Sequence, residues 1–140
     1  MPPQSTIGIY HISILHVHQF LHVWGHIHED FPPAKTLGKN AQFYRNLCYR
    51  ALDDCIGNIT TSVHTPAQGD IAFPTEYNDA VRALVIARQL HHAHPDNPAY
   101  ARYWRAMCDT HANMFIRGIN ATMRHPAQPL MPRRAPFAVL

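Results

Sequence analysis

From Tyr77 to Phe115 the chain reads YNDAVRALVIARQLHHAHPDNPAYARYWRAMCDTHANMF, and the fold turns on this stretch. Tyr77, Val81, Leu84 and Ala87 recur at helical spacing, with Val85 and Ile86 widening the face. Tyr100, Tyr103/Trp104, Met107, His111 and Met114/Phe115 form a second, heavily aromatic stripe. Between them stands Pro95-Asp96-Asn97-Pro98, which no helix can cross. The first helix is expected from Pro74 to Ala93, with Glu76 and Asp79 at its positive end. The second is expected from Pro98 or Ala99 with Asn97 as its N-cap, and Gly118 either kinks it or ends it, leaving a further turn or two to Met123. Two helices of about 20 residues joined this tightly make an antiparallel hairpin roughly 30 Å long. A hairpin this apolar cannot bury both faces by itself. Either a second hairpin joins it across a twofold axis as a four-helix bundle, or the rest of the same chain covers it.

Outward from the hairpin, Ile59 to Phe73 reads as a loop, with Thr65-Pro66 and Gln68-Gly69-Asp70 as turn signals. A helix is expected over about Thr36–Ile56, where Leu37, Ala41, Tyr44, Cys48, Ala51 and Cys55 recur and Gly57-Asn58 stops the run. Another is expected over about Ile7–Ile27, closed by Asp30-Phe31-Pro32-Pro33 because proline denies Phe31 the helical region. Its β-branched content leaves a strand open on propensity, but its length favours helix. The proline-dense end, with Pro126, Pro129, Pro132 and Pro136, reads as an extended arm. The fold class is therefore all-α, in one domain of 140 residues. Its parts are a His-rich leader helix (1–29), a second helix (30–57), the hairpin (74–118) and the arm (124–140).

With 12 Lys+Arg against 9 Asp+Glu, the formal charge of +3 is too small to argue nucleic-acid binding alone. The uncharged stretch before Glu29 is interrupted by His11, His16, His18, His22 and His26, so neither a spanning helix nor a signal peptide is expected. A cytoplasmic protein is the plain reading. Cys48, Cys55 and Cys108 match no zinc spacing and read as reduced thiols, one of which could pair between molecules.

The 12 histidines raise a metal question. His18, His22 and His26 share a helix face, and such pairs can ligate zinc. No carboxylate accompanies them as a base, and His28-Glu29 is not followed by a second histidine at metalloprotease spacing. His91, His92 and His94 fall where imidazolium suits the negative end of a helix dipole. Packed or solvated histidines are the plain reading, with a pH-sensitive element as the functional alternative. Glu29-Asp30 and Asp53-Asp54 diverge by about 100° on a helix and make no acid/base couple. No glycine-rich phosphate loop occurs. The sequence points to no enzyme, no catalytic metal and no cofactor.

Three stretches resemble the core (capsid) proteins of hepadnaviruses and of nackednaviruses, their non-enveloped fish relatives. Asp30-Phe31-Pro32-Pro33 resembles that family's Asp-Phe-Phe-Pro turn before a helix, here carrying Phe43-Tyr44-Arg45-Asn46-Leu47. Asp96-Asn97-Pro98-Ala99 resembles the acidic, Pro-Ala-containing tip of its spike hairpin. Met123-Arg124-His125-Pro126 through Pro132-Arg133-Arg134-Ala135-Pro136-Phe137 resembles its arm, and Trp104 with Cys108 a Trp–Cys pair on its second spike helix. The likeness covers about Asp30 to Leu140. Pro129-Leu130-Met131 stands where the family has a large aromatic, and the leader is longer than the family's.

The resemblance implies an assembly domain that pairs into homodimers and closes into an icosahedral shell around a viral genome. The dimer interface would be Tyr77, Val81, Leu84, Tyr100, Tyr103, Trp104 and Met107. The arm would contact neighbouring dimers through Arg124, Pro126, Met131, Pro132, Pro136, Phe137 and Leu140. Viral nucleic acid would be held by an arginine-rich tail not present in this chain, and no membrane partner is expected. The resemblance places the protein in the virion capsid and in the host cytoplasm or nucleus. Two rivals are a His-rich helical bundle that holds a transition metal and a membrane-surface protein using the leader once its histidines protonate.

Overall fold

In a computed structural model that describes residues 9–31, 38–62 and 70–123, the hairpin forms around the expected tip. The elements are β1 (Ile9–Ser13), α1 (Ile14–Asp30), α2 (Ala41–Ile56), β2 (Thr60–Ser62), β3 (Asp70–Ala72), a 3-10 turn (Thr75–Tyr77), α3 (Asn78–Ala93) and α4 (Pro98–Met123).

At the tip, the His94 N–H closes α3 on the Leu90 carbonyl at 3.1 Å. The Asn97 side chain then accepts from the Ala99 N–H at 2.9 Å, capping α4 as expected. His94 stacks on Tyr100, with ring centroids 4.7 Å apart and planes 19° from parallel. From there α4 runs 26 residues without a break, so Gly118 does not end it. A Cβ at Gly118 would stand 3.2 Å from the rings of Phe73 and Tyr77. The missing side chain lets the segment after β3 lie directly on α4, which offsets the roughly 1 kcal/mol that a mid-helix glycine costs.

The fold is mainly helical, as expected, with four α-helices, and a small three-stranded sheet is added to them. Instead of opening the first helix, Ile9–Ser13 forms the central strand of the order β2-β1-β3. Both pairings are antiparallel, with His11 opposite Thr60 and Ile12 opposite Ile71. Tyr10, His11 and Ile12 are all buried, so β1 is covered on both faces and shows no alternation. The expected Ile59–Phe73 loop supplies the edge strands. Ser13 ends the strand and caps the helix, its hydroxyl accepting from the Leu15 N–H at 3.2 Å. One imidazole ties the sheet together: His11 Nδ1 lies 3.0 Å from Asp70 Oδ2 on β3 and 2.9 Å from Thr60 Oγ1 on β2.

The helices pack on these strands to form one core. Val17, Phe20, Leu21, Trp24 and Ile27 from α1 meet Cys48, Leu52 and Cys55 from α2 and Val81, Leu84, Trp104, Cys108 and Phe115 from the hairpin. An aromatic chain crosses it, Trp24 to Phe20 at 5.2 Å, Phe20 to Phe115 at 6.0 Å and Phe115 to Phe73 at 5.7 Å between centroids. Polar links then fix α2 to the hairpin. Asp53 receives Arg88 Nε at 3.1 Å and His92 Nε2 at 2.7 Å, both from α3. Tyr49 donates its hydroxyl hydrogen bond to Asp109 on α4 at 2.8 Å. Of the two ways to cover the hairpin, the chain itself uses one, on one side. The expected start of α2 at about Thr36 is corrected: Gly38, with φ 87°, leads a turn through Lys39 and Asn40, and the helix begins only at Ala41, while residues 32–37 lie outside the described residues. Among the described residues no helix is long and apolar enough to cross a membrane.

Candidate functional site

The hairpin has two unlike faces. Facing α1, α2 and the sheet, α3 buries Ala80, Val81, Leu84 and Ala87, while α4 buries Trp104, Cys108, Ala112, Phe115 and Ile119. On the other side apolar side chains remain in water. Ile86 is 40% exposed, Tyr103 40% and Met114 39%. At 100° per residue Ile86 stands about 160° from Leu84, and Tyr103 about 140° from Cys108, so both point away from the core. Tyr100, Tyr103, Met107 and Met114 follow one another at intervals of three, four and seven residues, which makes a single stripe. Equal distances back from the tip bring Ile86 level with the Tyr103–Met107 turn of the antiparallel neighbour. The result is an apolar patch along one flank of a long hairpin, with exposed Arg82, Arg102 and Arg117 around it.

This geometry divides the expected dimer interface. Val81 and Leu84 are fully buried in the single chain and Trp104 is 4% exposed, so none of the three is free to meet a partner. Tyr77 is half-buried against Gly118 and the core. Tyr100 is half-buried, Met107 is half-buried against the core, and Tyr103 is exposed on the outer flank. Ile86 and Met114 belong to the flank and were not singled out as interface residues. Their signal was present in the sequence as apolar positions beyond the width one buried stripe needs. The arm residues Arg124, Pro126, Met131, Pro132, Pro136, Phe137 and Leu140 lie outside the described residues.

The three thiols are free, and each is buried: Cys48, Cys55 and Cys108 are 0%, 4% and 0% exposed. Burial pushes the Cys48 thiol up to about 12 against a smaller opposing hydrogen bond from Tyr44. Burial likewise raises Cys55 and Cys108, with Asp54 and Asp109 respectively adding to it. These thiols are inert at neutral pH. The reading as reduced thiols agrees with this, and the alternative left open, a pairing of one of them between molecules, finds no thiol at the surface of the folded chain.

A cleft of about 290 Å³ lies between α1 and α2, lined by residues that include His16, Phe20, Asp54, Cys55 and Asn58. The Cys55 thiol in its lining is the one that burial raises. Among the described residues no group of three or more His, Cys, Asp or Glu is placed to hold a metal ion. No known family, curated protein or solved structure matches the chain.

Proposed function

We propose that the chain is the assembly domain of a viral capsid protein that pairs through its hairpins and builds a closed shell around a genome. The observation that carries this reading is the exposed apolar flank of Ile86, Tyr103 and Met114 on a hairpin whose other face its own chain already covers. A twofold axis along that flank sets each hairpin against its copy and presents every apolar residue twice. The partner surface is the outer flank rather than Val81, Leu84 and Trp104.

The placement of the capsid-like motifs supports the same reading. Asp30-Phe31 closes α1 ahead of α2, and Asp96-Asn97-Pro98-Ala99 forms the tip of the hairpin. In this proposal the proline-rich arm bridges dimers through Phe137 and its apolar neighbours. Modest contacts suffice there, because closing a shell makes many weak interfaces act together. Nucleic acid is held by a basic tail outside this sequence.

The deciding experiment is size-exclusion chromatography with light scattering and negative-stain imaging across a salt series. Hollow spherical particles that dissociate to dimers are the expected result. A persistent monomer at high concentration and high salt overturns the proposal. Phe137→Asp is expected to leave dimers intact and abolish particles, and normal particles from that variant would remove the arm from the mechanism.

A further inference from the structure

We propose that His22 and His26 form an open, two-imidazole site for a borderline first-row divalent ion, Cu2+, Ni2+ or Zn2+, on the outer face of α1. Both residues are exposed, and they stand one helical turn apart with ring centroids 4.6 Å from each other at 83°. Imidazole nitrogens bind such ions at about 2.0–2.1 Å, so two donors on one ion lie roughly 3 Å apart. The observed ring separation reaches that spacing by small side-chain rotations, which exposed histidines make freely. His11, His28 and His92 have hydrogen-bond partners, to Asp70, Tyr44 and Asp53. No such partner holds His22 or His26 among the described residues, so a metal ion displaces only water.

The chemistry of the pair sets its limits. Two neutral nitrogen donors suit Cu2+ best and Ni2+ or Zn2+ next, and they discriminate against Mg2+ and Ca2+, which take oxygen. A third donor from this chain is not supplied, since no group of three is assembled among the described residues. The remaining positions stay open to water or to a donor from another molecule. His18 stands one turn earlier on the same exposed face, so His22 is the central member of the stripe. A helix fixes the second imidazole close to the first, and that raised effective concentration separates a chelating pair from scattered surface histidines.

The test is isothermal titration of the full chain with ZnCl2, beside electron paramagnetic resonance of the Cu2+-loaded protein. One ion per chain and a two-nitrogen pattern on Cu2+ are expected. His22→Ala/His26→Ala should weaken Zn2+ binding at least about tenfold and remove the two-nitrogen pattern, with the helical circular dichroism unchanged. His94→Ala, at the hairpin tip, should leave both readings as they are. Equal binding by the double variant, or an equal loss in His94→Ala, overturns the site.

Discussion

The two faces of the α3–α4 hairpin are made from the same helices, even from adjacent residues, yet they do opposite work. Trp104 is 4% exposed and its neighbour Tyr103 is 40% exposed; Leu84 is fully buried and Ile86, two residues on, is 40% exposed. One face is committed to the fold of a single chain. The other keeps apolar surface in water, and it is this surface that the proposed partner would cover. Composition does not separate the two faces, since both are aromatic and aliphatic. What separates them is whether α1, α2 and the sheet reach them.

Substitutions on each face test this division. Phe115→Ala on the inner face removes a fully buried ring at the junction of Phe20 and Phe73, and should cost about 3–5 kcal/mol in a urea denaturation series. A loss below about 1 kcal/mol would mean that the inner face is not the core. Ile86→Asp/Tyr103→Asp on the outer flank should change monomer stability by under about 1 kcal/mol and weaken dimer formation by 2 kcal/mol or more. Light scattering against concentration measures the second quantity. An unaltered dimer would transfer the partner surface elsewhere.

A pH series sharpens the inner face further. The thiols of Cys48 and Cys108 are raised by burial, so the folded chain keeps protons that the unfolded chain has lost. Their contribution is fully present below the unfolded-state value of 9.0 and falls away as the pH climbs from there toward about 12 for Cys48. The urea midpoint should therefore drop between pH 8 and pH 10, and Cys48→Ala/Cys108→Ala should flatten that drop. The smallest effect belongs to the tip, where neither face is at issue. Asn97→Ala should cost about 1 kcal/mol through the lost cap on Ala99 while dimer formation is unchanged.

The hairpin was legible in the sequence because its causes are local. Pro95, Asn97 and Pro98 break and cap the chain within four residues, and the stripes on either side have helical period. The division of its faces was not legible. Tyr103 and Trp104 are equally apolar neighbours, and only the position of α1 and α2 decides which is covered. The strand Ile9–Ser13 was hidden for a related reason. It joins α1 without a glycine or proline between them, and Ser13, strand end and helix cap at once, is the sole punctuation. Thr60–Ser62 and Asp70–Ala72 are three-residue segments with little preference of their own, set in place by register against β1. Of the residues named for the partner surface, Tyr103 is exposed and Met107 packs on the core, while the exposed Ile86 and Met114 were not singled out.

The imidazole of His11 joins residues 49 and 59 positions away in the chain, whereas the hairpin closes over a few. Long loops cost entropy before their contacts form, so on topology alone α3 and α4 are expected to fold first and the sheet last. During synthesis the N-terminal strand therefore emerges long before the segments it needs. It must wait, as an apolar strand with both edges open, until Thr60 and Asp70 have left the ribosome, and that interval is when the nascent chain is most exposed to mispairing.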